Sequence, residues 1–308
     1  MSGSPAVTPV EAAALHAGVL DWYAEAARDL PWRGGSTPWG VFVSEIMLQQ
    51  TPVVRVEPVW REWMERWPTP SDLAAQAPGE AVRAWGRLGY PRRALRLHAA
   101  ATAMRDEHDG QVPATEDQLR ALPGVGVYTA AAVAAFAFGE RTTVVDTNIR
   151  RVLARALSAQ QHAAPALTRA EYELASALLP HSDEDAATWN VAIMELGALV
   201  CTARAPRCGT CPIAEQCAWQ QAGQPAYEGP PRRGQAWHGT DRQARGALLA
   251  VLRDSTGPVT RRQLTAAVPD DVRRERCLDG LVADGLVEPL ARGRFQLPGS
   301  QASQRYAG

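Results

Sequence analysis

The sequence predicts a mainly α-helical protein with a small helix-and-hairpin module at its C-terminal end. Three observations predict it. Alanine is abundant and β-branched alternation is rare, so most periodic segments repeat apolar residues at helical spacing. The run "AGQPAYEGPPRRGQAWHGT", residues 222–240, interrupts that pattern with glycine and proline and reads as a linker. Beyond it the chain closes on "GLVEPLARGRFQLP", two short runs about a turn at Arg292-Gly293. A chain of 308 residues, 46% hydrophobic and 21% charged, has material for two or three soluble domains.

The elements follow in order. Residues 1–9 are expected to be disordered. A helix is predicted from about Val10 to Arg28, with Leu15, Val19 and Trp22 on one face. Thr37-Pro38 supplies an N-cap and a first-turn proline, so a helix starts there. Thr51-Pro52 ends it and opens another, reaching about Trp67. Helices with short loops continue to about residue 200. Past the linker, residues 241–298 read as a helix to about Asp254, a short helix from Thr260 to Val268, a helix from Asp270 to Ala283, and the hairpin. Three helices and a two-stranded wing resemble a winged-helix domain. No internal repeat is visible.

Charge says little in total and more in its distribution. The net charge is -1; residues 1–227 hold 19 Arg against 24 acids, and residues 228–308 hold 13 Arg against 9 acids. Such asymmetry does not by itself identify a nucleic-acid binder. Every basic residue is Arg, and there is no Lys. No charged-then-apolar leader opens the chain, and the most apolar run, Ala130 to Phe138, is too short to span a bilayer. A cytoplasmic protein without membrane contact is therefore expected. Its clustered cysteines then read as metal ligands rather than disulfides.

Two acids stand out. In "SEIMLQQTP", Glu45 is the one charge between Trp39 and Val54. A buried lone carboxylate is costly, and burial favours its protonated form. In "VVDTNIRRVLAR", Asp146 precedes a helix and suits an N-cap, where the helix end favours the anion. Two carboxyls with pKa values pushed apart suit a reaction that protonates a leaving group and stabilises an oxocarbenium-like sugar.

Two further motifs carry chemistry. "CTARAPRCGTCPIAEQC" spaces Cys201, Cys208, Cys211 and Cys217 with six, two and five residues between them, a set able to hold zinc or an iron–sulfur cluster. Arg204 and Arg207 lie within this loop, as phosphate contacts or as solvated charges. Cys277 reads as a small core residue. "ATEDQLRALPGVGVYTAAAVAAFAFG" places a helix capped by Thr115 and Gln118, a tight LPGVG turn, and a second helix stopping at Gly139. Gly124 and Gly126 permit close backbone approach, and the free N–H groups of the second helix suit a phosphate.

Together these motifs resemble the adenine DNA glycosylases of the MutY family, within the endonuclease III superfamily, over about residues 30–220. The uneven cysteine spacing matches that superfamily's four-iron four-sulfur loop. LPGVG-x-x-TA matches its helix-hairpin-helix, with Leu122, Gly124, Gly126 and Thr129 at the DNA backbone. The resemblance implies a two-lobed helical fold. Residues 1–31 and 141–221 would form the iron–sulfur lobe, 32–140 the helical barrel lobe with the hairpin, 222–240 the linker, and 241–298 the winged-helix-like domain. It implies that Glu45 protonates the departing adenine and helps activate water, that Asp146 stabilises the sugar intermediate, and that Tyr128 stands where lyase relatives carry lysine. Trp32, Arg33 and Leu48 match the adenine pocket. Gln50, Thr51, Leu88 and Tyr90 match the residues around the opposing base, 8-oxoguanine in the family. Arg92, Arg93 and Arg96 resemble phosphate neutralisers or form a solvated helix face. The implied partner is double-stranded DNA carrying a mispair, bound by a nucleoid-associated monomer.

Without lysine no side chain can form the usual Schiff base, so a monofunctional enzyme leaving an abasic site is expected. Two departures bear on specificity. Where many members have Gln or Glu after Phe-Asn, this chain reads Trp189-Asn190-Val191, and valine offers the base no hydrogen bond. Residues 228–308 are also too short for the family's MutT-like domain. The C-terminal module is instead expected to add phosphate contacts through Arg232, Arg233, Arg242 and Arg245. Two rivals stand beside this reading. One is a relative acting on T opposite G or on an oxidised pyrimidine. The other is a non-catalytic iron–sulfur DNA-binding protein.

Overall fold

The computed structural model describes residues 8–229 and 239–300. The chain divides into two compact units. The described residues of 1–35, 114–120 and 126–231 form the first, and those of 36–113, 121–125 and 232–308 form the second. No described helix is long and apolar enough to cross a membrane.

The first unit is built on the helices Pro9–Ala26, Val127–Phe138, Thr147–Ser158, Arg169–Ala177 and Asp183–Leu199. Local chemistry fixes their starts. Thr8 with Glu11 and Thr168 with Glu171 form reciprocal caps, Ser182 caps through its hydroxyl, and Asp146 through its carboxylate. The core joins Leu15, Val19, Ile149, Leu153, Trp189, Ile193 and Leu196 to Ala131, Ala132 and Ala135. Small alanines let the Val127–Phe138 helix approach its neighbours closely, which places it in this unit. The expected lobe boundary at residue 140 therefore differs from the structural one. Part of the predicted linker is also anchored here: Trp219 Nε1 donates to Pro225 O at 2.9 Å, and Tyr227 N to Gln161 Oε1 at 2.7 Å. Arg232, Arg233 and residues 1–7 lie outside the described residues.

The second unit holds the helices Pro38–Leu48, Val53–Arg66, Pro70–Ala74, Pro78–Ala84 and Arg92–Glu107. Trp63 sits at its centre, edge-on to Trp67 at 4.8 Å and to Trp85 at 5.8 Å. The C-terminal helices Asp241–Asp254, Arg261–Ala267 and Asp271–Ala283 belong to the same unit. Strand Arg294–Gln296 pairs antiparallel with Glu288–Leu290 on one side and Val259–Thr260 on the other, with Phe295 opposite both Pro289 and Val259. The two-residue Val259–Thr260 strand is too short to carry a period and was not expected. Arg292 and Gly293 both take left-handed φ at the predicted turn. The module is docked rather than separate. Gly79 N donates to Pro298 O at 2.8 Å, Arg83 donates to the carbonyls of Arg253 and Ser255, and Arg253 donates to Gly86 O.

Candidate active site

Glu45 lies on the Pro38–Leu48 helix, started by Thr37, whose hydroxyl accepts from Gly40 N at 3.1 Å. Every residue from Trp39 to Met47 is buried, so the helix has no solvated face over two turns. Glu45 is 7% exposed. Leu48 is half-buried at the helix end, and the chain then turns through Gln50, whose φ is +56°.

The turn at Gln50 is joined to a second one. Arg93 is 5% exposed, and its Nη1 donates to the carbonyls of Ile46 and Met47, both at 2.9 Å, and of Gln49. Its Nη2 donates to Thr51 Oγ1 at 2.8 Å and to Gly89 O at 3.1 Å. The Thr51 hydroxyl donates in turn to Leu88 O at 3.3 Å. A cation over the last carbonyls of a helix satisfies orphan acceptors and complements the helix dipole. Burial holds the guanidinium down at about 10, still charged at neutral pH. Arg93 is therefore neither a phosphate contact nor part of a solvated helix face, the two alternatives expected for it; Arg92 and Arg96 are exposed. Of the residues matched to the opposing base, Gln50 and Tyr90 are exposed, while Thr51 and Leu88 are buried beneath them.

In the first unit, Asp146 is the expected N-cap. Oδ1 accepts from Ile149 N at 2.6 Å and Oδ2 from Asn148 Nδ2 at 2.7 Å. Arg151 Nη2 donates to Asn148 Oδ1 at 2.7 Å, and its Nε to Cys201 O at 2.7 Å. A continuous run of hydrogen bonds thus joins the carboxylate to the cysteine loop. The expected lowering by the helix end does not prevail. Loss of hydration pushes the Asp146 carboxyl above its usual range, against the bonds from Ile149 and Asn148 and the charge of Arg151.

Trp32 is buried, and beside it Arg33 Nη2 reaches Glu195 Oε2 at 3.0 Å. Arg28 meets the same carboxylate with Nε and Nη2, each at 2.6 Å. Glu195 is 1% exposed; burial alone would raise its pKa, but the two guanidiniums outweigh it and hold it at about 2. Arg33 Nη1 is buried without a hydrogen-bond partner among the described residues. Glu195 was not singled out from the sequence. Its signal matches that of Glu45: no other charge falls between Ala186 and Ala203. Glu195→Gln should cost about 2–4 kcal/mol in a denaturant titration, below the value for a dry pair because Arg28 is about one-third exposed. A carboxylate with a lowered pKa stabilises the fold above its ordinary 4.5 and loses that contribution as pH falls toward about 2. The acid-unfolding curve of the variant should lack this component.

Cys201, Cys208, Cys211 and Cys217 line one recess with Arg155, Leu196, Pro206 and Trp219. Burial and the three neighbouring thiolates push Cys211 up to about 11, so four thiolates here require a positive centre. Arg155 is 2% exposed, donates to Cys201 Sγ at 3.3 Å, and lies 4.9 Å over the Trp219 ring. Thiols, a charge-assisted donor and an apolar wall fit an iron–sulfur cluster. Arg204 and Arg207 are exposed on the same loop.

At the hairpin, Leu122 is buried and Gly124 has φ +77°. A side chain there would meet the stem of Arg96 at 2.7 Å. Gly126 precedes the Val127–Phe138 helix, whose start no described side chain caps. Thr129 is buried and Tyr128 half-buried against the first unit's core.

Comparison with known proteins accords with this arrangement. Residues 43–176 match the HhH-GPD superfamily of base excision DNA repair proteins, and residues 201–217 match the iron–sulfur binding domain of endonuclease III. The adenine DNA glycosylase of Mycolicibacterium smegmatis is 54% identical over 303 residues, 98% of this chain and 99% of its own. The chain belongs to the adenine DNA glycosylase family. The human adenine DNA glycosylase is 40% identical over 68% of this chain and 40% of its own. Among solved structures, a thermostable thymine-DNA glycosylase superposes with a TM-score of 0.62 at 25% identity, covering 70% of this chain and all of that one. An endonuclease III–DNA complex superposes at 0.61 and 22% identity, over 71% and 99%. This is a base-excision repair enzyme with a four-iron four-sulfur loop in the endonuclease III fold.

Proposed function

We propose that the protein is a monofunctional, monomeric glycosylase that removes adenine mispaired with 8-oxoguanine or guanine and leaves an abasic site. The observation that carries this reading is the 54% identity to an adenine DNA glycosylase over nearly the whole of both chains. The site chemistry supports it. An adenine inside a duplex must be flipped out before it can be attacked. Glu45, nearly dry in an apolar helix, is the acid that protonates the departing base and then helps activate water. Asp146 places a carboxylate by the sugar cation, and Tyr128 is assigned to the same step. Trp32 and Leu48 supply apolar contact with the base, and Arg33 offers it the hydrogen bond that Val191 cannot. Gln50 and Tyr90 face the opposing base, with Thr51 and Leu88 beneath them. The hairpin of Leu122, Gly124, Gly126 and Thr129 receives a phosphate on backbone N–H groups.

Base release from three duplexes tests this reading: A opposite 8-oxoguanine, A opposite G, and T opposite G. Adenine should leave the first two and thymine should not leave the third. Borohydride should trap no protein–DNA adduct, since no lysine amine exists. Thymine release, a trapped adduct, or DNA binding without release would overturn it.

A further inference from the structure

Two segments that meet the opposing strand in the proposed function share one buried cation. Gln50 and Tyr90 are both non-glycine residues with left-handed backbones, φ +56° and +47°, in separate turns. L-residues adopt this conformation when the surroundings hold them there. Arg93 supplies that hold. Its guanidinium donates to Gln49 O, next to Gln50, and to Gly89 O, next to Tyr90. The carbonyls of Ile46 and Met47 and the hydroxyl of Thr51 complete its set of acceptors. Its carbon centre also lies 5.5 Å from the Tyr90 ring and 5.1 Å from the Trp85 ring. Trp85 donates to the same Gly89 carbonyl at 2.9 Å. None of these hydrogen-bond acceptors is a carboxylate, so the cation's partners are backbone dipoles and one hydroxyl.

We infer that Arg93 is a positioning residue that locks the Gln50 and Tyr90 turns together, so that the pair reads the opposing base as one rigid element. The inference rests on the reading that these turns face that base. A planar fork reaches acceptors on both turns at once; an ammonium is a compact point charge and cannot span them equally. Arg93 would thus set discrimination between mispaired and matched duplex without touching DNA. Affinity for matched duplex rests on phosphate contacts elsewhere and does not depend on this lock.

The test compares wild type, Arg93→Lys and Thr51→Val, each with its cluster absorbance and circular dichroism checked. Affinities are measured for a duplex with A opposite 8-oxoguanine and for the same duplex fully matched. Arg93→Lys should lower the mispair-to-match affinity ratio by about tenfold or more, the scale of one charge-assisted hydrogen-bond set. Thr51→Val removes one of the acceptors of Arg93, together with the hydroxyl's own bond to Leu88 O, and should move the same ratio in the same direction by less. Should Arg93→Lys fail to fold, Thr51→Val decides alone. An unchanged ratio in a folded variant, or equal losses on both duplexes, would overturn the inference. A wild-type protein that does not distinguish the duplexes would instead overturn the opposing-base reading beneath it.

Discussion

Glu45→Gln is expected to slow adenine release by about 10²–10⁴-fold, the usual contribution of general acid catalysis. Duplex affinity should stay within a few-fold of wild type. Glutamine has nearly the same shape and can keep hydrogen bonds, but it has no proton to deliver at neutral pH. The side chain is 7% exposed within a helix buried from Trp39 to Met47, so the replacement removes a dry acid and exposes no new surface. A denaturant melt of the variant, run beside the rate measurement, separates a chemical defect from a folding defect. Single-turnover release with excess enzyme checks the rate, and a binding titration checks the affinity.

Asp146→Asn should cost about 10²–10³-fold, the scale set by loss of one preorganised electrostatic stabiliser. The amide oxygen can still accept from Ile149 N, but the new NH₂ would face Asn148 Nδ2, which now donates to Asp146 Oδ2 at 2.7 Å. Asn148 can turn its amide only by withdrawing Oδ1 from Arg151. The substitution therefore disturbs the bonded path to Cys201 as well as the charge. The pH dependence follows from the raised carboxyl. A carboxyl raised in the fold stabilises it below the ordinary value of 3.8, and that contribution is lost as pH rises through the folded value. In the proposed function Asp146 acts as the anion, so wild-type single-turnover rates should fall on the acid side at a pH above 3.8. A pH series of release rates measures this limb.

Much of the fold was legible where a residue acts on its own neighbours. Thr37-Pro38 started its helix, Asp146 capped its own, Gly139 ended the alanine helix, and Arg292-Gly293 made the C-terminal turn. Each is local backbone chemistry. Long-range partnership was not legible. Arg93 sits between two other arginines, Arg92 and Arg96, and nothing local marks it as the one that bonds to two turns. The docking of residues 241–298 was hidden for the same reason, since it runs through the backbone carbonyls of Gly86, Arg253 and Ser255. Glu195 differs: its isolation in an apolar run was readable, and its counter-ions Arg28 and Arg33 lie more than 160 residues away. The Asp146 carboxyl shows how local logic can give the wrong sign, because its capping bonds are present and burial outweighs them.

The central claim is that the base leaves only after taking a proton from Glu45. Its most direct test is base release from duplexes in which one ring nitrogen of adenine is replaced by C–H, compared between wild type and Glu45→Gln. The account predicts that at least one such analogue is bound but not released, and that Glu45→Gln causes no further loss on it. Release of every analogue at the adenine rate, with Glu45→Gln still slowing each of them, would contradict it.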